Sequence, residues 1–378
     1  MHLKERITAP GPKKILALDG GGIRGILTLE ILVRLEATLR EKLGRQQDFV
    51  LADFFDFFAG TSTGAIIAAG LAMGMPVAQV REFYLTNGKA MFDKVGFFKR
   101  LRMMFRYAYT DSKLRDKLKE VYGEDTLLGS EKLRSLLLMV LRNASTDSPW
   151  PLSNNPFAKY NQRERADCNL NLPLWQLVRA SAAAPVYFPP EEARIGKQTF
   201  VFVDGGITPY NNPAFQAFLM ATLEPYHLNW PPGESQLLIV SLGTGTSPDA
   251  DAYLSPDKMS IFYNAGKIPG ALMYAALNEQ DLLCRAFGNC LAGDPFDREV
   301  GDLIGQKGPV QPKLFTYMRY NAELTREGLD KLGLKDVDPA KVQKLDSVAH
   351  IADLQRIGRA VAEQKIRGEH FQNFIERG

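Results

Sequence analysis

Phe54-Phe55-Asp56-Phe57-Phe58-Ala59-Gly60-Thr61-Ser62-Thr63-Gly64-Ala65-Ile66-Ile67-Ala68-Ala69 is the stretch on which the fold turns. The aromatic run Phe54–Phe58 reads as a strand closed by Gly60, and the alanine-rich Ala65–Met73 reads as a buried helix. Between them stands G-x-S-x-G. A serine on so tight a strand-to-helix turn needs small neighbours, and the helix that follows offers backbone amides and the positive end of its dipole. Ser62 is therefore a candidate nucleophile, with Gly60 and Gly64 as the glycines of its elbow. Phe54–Met75 is apolar enough to suggest a membrane span, but Asp56, Thr61, Ser62, Thr63 and several glycines interrupt it, so strand, turn and helix is the better reading.

The same unit precedes it. Lys14–Leu18 is a compact apolar run, Asp19-Gly20-Gly21-Gly22-Ile23-Arg24-Gly25 a glycine-rich turn, and Ile26–Leu43 a helix through Leu27, Ile31, Leu35 and Leu39. Consecutive glycines let backbone amides converge on one point, which suits an oxyanion or a phosphate. Gly20, Gly22 and Gly25 also fit the dinucleotide fingerprint G-x-G-x-x-G, with Glu41 near the position of a ribose-binding acid. Glu41 falls inside a helical stretch, however, where the fingerprint wants a strand end, and that reading leaves Ser62 without a role. No Gly-Lys-Ser or Gly-Lys-Thr follows the glycines, which removes a P-loop.

Arg81–Leu141 reads as mostly helical and Asn143–Asn171 as loop-rich. Leu172–Ala184 is a helix ended by Pro185; Thr199–Val203 is a strand ended by Asp204-Gly205-Gly206; Leu237–Leu242 is a buried strand before Gly243. An aspartate at a strand's carboxyl end lies where open α/β sheets place their sites, although a turn cap would look the same. Leu314–Tyr320 is the last expected strand, and Asp346–Lys365 the clearest amphipathic helix. The alternation predicts an α/β fold in which a mainly parallel central sheet is flanked by helices. Residues 1–12 would form an N-terminal arm, 13–250 the catalytic core, and 251–378 a mainly helical extension packed on it.

With 46 basic and 43 acidic residues the charge is too balanced for a nucleic-acid polymer as main partner. Three cysteines match no zinc or redox spacing, so no metal is expected. Met1–Lys14 lacks the apolar core of a secretory signal, which predicts a cytoplasmic protein.

Together the three motifs resemble the patatin-like phospholipase family, which pairs a D-G-G-G-x-R-G loop, a G-x-S-x-G elbow and a D-G-G or D-G-A aspartate in this order; Ala180–Pro189 and Ser241–Gly245 are softer similarities. The resemblance implies a three-layer patatin-like fold and a lipid acyl hydrolase without organic cofactor, working through a seryl-acyl intermediate. Ser62 would be its nucleophile and Asp204 its base. Gly20, Gly21 and Gly22 would form the oxyanion hole, with Arg24 supporting that loop or facing the lipid phosphate. Stand-alone bacterial members of this length include effectors of cyclic-nucleotide antiphage systems, so a cyclic-nucleotide activator is compatible with the resemblance, although no residue marks a nucleotide site.

Three alternatives stay open on sequence alone. Ser62, Asp204 and His227 obey the chain order of a hydrolase triad. The glycine loop could serve a dinucleotide-dependent oxidoreductase. A non-catalytic lipid-binding or storage protein could keep the fold without turnover. Finally, Lys94–Tyr109 interleaves five basic with bulky apolar residues and no acid, which suits either docking on an anionic phospholipid surface or an ordinary amphipathic segment against the core.

Overall fold

The computed structural model describes residues 2–91, 111–185, 187–246 and 261–375. The segment Lys94–Tyr109 lies outside them. The strands are β1 Lys13–Leu18, β2 Phe57–Thr61, β3 Leu136–Asn143, β4 Ser148–Ser153, β5 Glu191–Ile195, β6 Gln198–Asp204, β7 Leu237–Leu242, β8 Asn289–Ala292 and β9 Thr316–Tyr320. They form one sheet in the order β5-β6-β3-β2-β1-β7-β9-β8, with β4 also on β3. From β3 through β2, β1, β7 and β9 to β8 every pairing is parallel, whereas β4, β5 and β6 pair antiparallel.

The sheet is buried on both faces because its strands are apolar at nearly every position. Leu16, Leu18, Leu238, Val240 and Leu242 face one core, with Leu137, Met139 and Leu141 beside them. Ile15, Ala17, Leu237 and Ile239 face the other, with Leu136 and Leu138. On the first face lie α2 Gly25–Lys42, α3 Thr63–Ala72, α4 Val77–Met91, α5 Asp111–Tyr122 and α6 Leu174–Ser181. The second is covered by α1 Leu3–Thr8, α7 Ala214–Thr222 and α8 Ile261–Phe287. Residues 251–378 also supply β8 and β9 to this sheet, and their longest later helix, α9 Ile351–Lys365, packs against α2, where Gly358 sits so close that a Cβ would lie 2.5 Å from the Leu27 carbonyl oxygen.

The main departure from the sequence reading is β3. Leu136-Leu137-Leu138-Met139-Val140-Leu141 was expected to be helical, yet it is a central strand buried almost throughout. A leucine run has no period that separates buried helix from buried strand. Burying each leucine contributes roughly 1.5–3 kcal/mol, which swamps helix-propensity differences of a few tenths. β4 falls in the stretch expected to be loop. Its prolines Pro149 and Pro151 are tolerated because, among the described strands, β4 pairs with β3 alone. β2 starts later than expected and runs into Gly60 and Thr61.

Candidate active site

β2 delivers the serine. Ser62 is the residue between β2 and α3, at φ 55° and ψ −121°, a backbone conformation that side-chain-bearing residues rarely adopt. The flanking glycines are enforced by contact. A Cβ on Gly60 would stand 2.2 Å from the Gly64 carbonyl oxygen, and one on Gly64 would stand 2.2 Å from that of Leu18 on the neighbouring strand. The Ser62 amide donates to Ser181 Oγ at 3.0 Å, and that hydroxyl donates to the Val140 carbonyl at 2.7 Å. Ser181, at the end of α6, thus pins the elbow to β3; it lies inside the softer Ala180–Pro189 similarity, which gave it no role of its own.

The sheet register brings Asp204 to it. Thr61 pairs with Val140 and Asp204 with Leu141, so β2 and β6 meet end to end along one edge of β3 from opposite directions. Ser62 Oγ donates to Asp204 Oδ2 at 2.6 Å, and the Gly206 amide donates to Oδ1 at 2.6 Å. Asp204 ends β6, at the strand's carboxyl end as the sequence suggests, and within the mainly parallel sheet that strand runs antiparallel to β3. Ser62 is 9% and Asp204 4% exposed. Burial raises the Asp204 carboxyl to about 6, against the pull of its hydrogen bonds from Ser62 and Gly206 and of the nearby Arg179 guanidinium. A carboxylate of that strength, touching a hydroxyl, is fit to take its proton near neutral pH.

The glycine loop closes over the pair from β1. Gly20 abuts Ser62: a Cβ on it would stand 3.2 Å from that of the serine. Its amide, however, donates to the Asn211 carbonyl at 3.2 Å, which occupies one of the three expected oxyanion donors. Gly21 and Gly22, whose amides take no backbone acceptor among the described residues, line the cavity. The loop is held by distant chain. Thr244 Oγ1 donates to the Gly20 carbonyl at 2.8 Å, the Leu345 carbonyl accepts from the Ile23 amide at 2.9 Å, and Arg24 Nη1 reaches the Gln343 carbonyl at 3.3 Å. Asp19 is clasped by Arg319 of β9 through two bonds of 2.8 and 2.5 Å, both groups fully buried. Burial pushes the Asp19 carboxyl up while Arg319 pulls it down. Arg24 lines the cavity with its Nε sealed and without a partner among the described residues, and desolvation lowers the guanidinium to about 10.

The cavity itself is about 290 Å³. Besides the glycines, Arg24, Ser62 and Asp204 it is walled mainly by apolar side chains, among them Ile66, Leu114, Tyr187, Phe188, Ile207 and Met273. None of the four histidines lines it. His227 is exposed in the turn after α7, His370 bonds Tyr320, and His350 bonds Asp353. The Ser62–Asp204 contact is direct, so the order Ser62, Asp204, His227 does not correspond to a triad in space. Glu41 is exposed at the far end of α2, sixteen residues and roughly 24 Å of helix from Gly25, too far to read a ribose at the loop.

Residues 16–218 match the sequence model of the Patatin family, described as patatin-like phospholipase. The chain belongs to that family. The patatin-like match takes in the glycine loop, the elbow and Asp204 and ends within α7, so Thr244, Arg319 and Leu345, which hold the loop, lie beyond it. Patatin-like protein 1 of Oryza sativa is 32% identical over 66% of this chain and 63% of its own length. The cGAMP-activated phospholipase of Vibrio cholerae is 30% identical over 57% of each chain, and Patatin-T5 of Solanum tuberosum 29% identical over 63% of this chain and 61% of its own. The chain thus spans 57–63% of the length of these relatives. Among the described residues no helix is long and apolar enough to cross a membrane, and no cluster of His, Cys, Asp and Glu could hold a metal ion.

Proposed function

We propose that this patatin-like protein hydrolyses acyl esters of phospholipids through a Ser62–Asp204 dyad. The observation that carries the reading is the 2.6 Å bond from Ser62 Oγ to the Asp204 carboxylate, on the wall of an apolar cavity. Ser62 Oγ attacks the ester carbon as its proton passes to Asp204. The tetrahedral intermediate collapses by expelling the lysolipid alkoxide, which takes that proton, and leaves the acyl group on Ser62. Asp204 then draws a proton from water, whose oxygen attacks the acyl carbon; the fatty acid departs and Ser62 recovers its proton. Negative charge on the carbonyl oxygen is met by amides of the glycine loop, Gly21 and Gly22 foremost, and Arg24 beside them suits the phosphate of a head group.

Purified protein, Ser62→Ala and Asp204→Asn are to be assayed on a p-nitrophenyl ester and on phospholipid vesicles, with fluorophosphonate labelling. Wild type turns over and labels, and each variant loses about a thousandfold or more in kcat. A wild type that neither turns over nor labels removes the hydrolase reading in favour of a lipid-binding role. The name of the Vibrio cholerae relative supports a cyclic-nucleotide activator, so the assays are run with and without cGAMP; unchanged turnover removes that part of the proposal. Docking of Lys94–Tyr109 on anionic membranes is tested by reversing Lys99, Arg100 and Arg102 to glutamate, which impairs vesicle hydrolysis while sparing the soluble ester. Equal loss on both substrates refutes it.

A further inference from the structure

Asn211 carries a buried polar atom that the proposed chemistry has not used. Its Oδ1 is sealed from solvent and has no hydrogen-bond partner among the described residues. That oxygen is wedged at the glycine loop: it would lie 2.3 Å from a Cβ on Gly20 and 3.2 Å from one on Gly206. Asn211 also lines the cavity that holds Ser62 and Asp204. With Oδ1 sealed and Asn211 on the cavity wall, the end of the amide left available to the cavity is Nδ2, a donor.

The backbone around Asn211 is held on both sides. Thr61 Oγ1, one residue before the serine, donates to the Tyr210 carbonyl at 2.7 Å, and the Asn211 carbonyl accepts the Gly20 amide at 3.2 Å. The next residue, Asn212, accepts at its Oδ1 from the Ala214 amide at 3.1 Å and from Ser241 Oγ at 3.2 Å, which ties the turn to α7 and β7. The asparagine is thereby fixed to the elbow, the glycine loop and the sheet at once. Such fixing is what an electrostatic donor needs, because a donor already in place loses nothing to reorganisation when charge develops.

We propose that the Asn211 side-chain amide is an oxyanion donor, contacting the carbonyl oxygen of the substrate ester through Nδ2. Its main chain occupies the Gly20 amide, and its side chain supplies a donor in that amide's place. The proposal rests on the hydrolase reading above and adds to it a residue outside the three motifs. An ester carbonyl attacked by Ser62 Oγ becomes a tetrahedral oxyanion; the amide donates a hydrogen bond to that oxygen and is itself unchanged when the intermediate collapses.

The test compares Asn211→Asp and Asn211→Ala with wild type on a p-nitrophenyl ester and in the rate of fluorophosphonate labelling. Asp matches Asn in shape but cannot donate when ionised. Both variants lose on the order of a hundredfold in kcat with KM within about threefold, and label more slowly in proportion. If Asn211→Asp keeps wild-type kcat while Asn211→Ala falls, Asn211 only packs against Gly20 and the donor role is overturned. Should both variants unfold, the wild type decides: in its 15N spectrum the Asn211 side-chain amide shifts on formation of a boronate adduct with Ser62, and an unmoved signal overturns the role. Failure of the hydrolase reading is recognised separately, by a wild type that neither turns over nor labels.

Discussion

The elbow at Ser62 and the glycine loop at Asp19–Gly25 are two strand-turn-helix units side by side, with Leu18 of β1 paired to Gly60 of β2. They solve the same problem in different ways. The elbow is built almost locally: Gly60 clears Gly64, Gly64 clears Leu18, and one serine carries the strained backbone. The loop is built from far away, by Thr244, Arg319, Gln343 and Leu345, and its Gly22 takes the positive φ of 59°. A unit that must present one side chain is written mostly in five contiguous residues, with Ser181 as its distant pin, whereas one that must present bare amides is held by other chain throughout.

Removing the loop's long-range support gives the largest expected effect. Arg319→Met strands the buried Asp19 carboxylate and costs on the order of 3–5 kcal/mol in chemical denaturation. Burial, no longer opposed by that guanidinium, then pushes the Asp19 carboxyl further up, so the loss shrinks as pH is lowered and Asp19 protonates in the folded state. Asp19→Asn in the Arg319→Met background recovers part of it. A pH-independent loss in the single variant contradicts the assignment.

The elbow breaks from within. Gly64→Ala places a Cβ against backbone oxygen of Leu18 and Asp19, which no rotamer relieves, and loses about 3 kcal/mol. A stable Gly64→Ala protein refutes the close approach. The smallest effect sharpens the comparison most: Ser62→Gly is more stable than Ser62→Ala by about 1 kcal/mol, since only glycine accepts the elbow backbone without strain, and both are inactive. Equal stability of the two variants shows that the elbow is not strained.

The same contrast explains what could be read from sequence. β1, α2, α3 and β7 were legible because their apolar runs end in glycine or polar turns, and Ser62 because its whole context is contiguous. β3 was not, since Leu136–Leu141 is apolar without a period, and with β3 missing nothing in the order of residues says that β2 and β6 meet along it. Asp204 was therefore visible as a strand end and as a motif, but its contact with Ser62 depends on that register. Ser181, Asn211 and Arg319 bear on the site only through sheet order and packing.

The central claim is that Asp204 is the base for Ser62, and the pH dependence of kcat/KM tests it most directly. The folded carboxyl sits near 6, raised by burial, and only the ionised form can accept the serine proton. Wild-type kcat/KM on a neutral ester therefore rises about tenfold per pH unit below 6 and levels above it; Asp204→Asn loses both the rate and that limb, and His227→Ala keeps both. A limb near 6 that survives in Asp204→Asn and disappears in His227→Ala contradicts the account and installs the histidine.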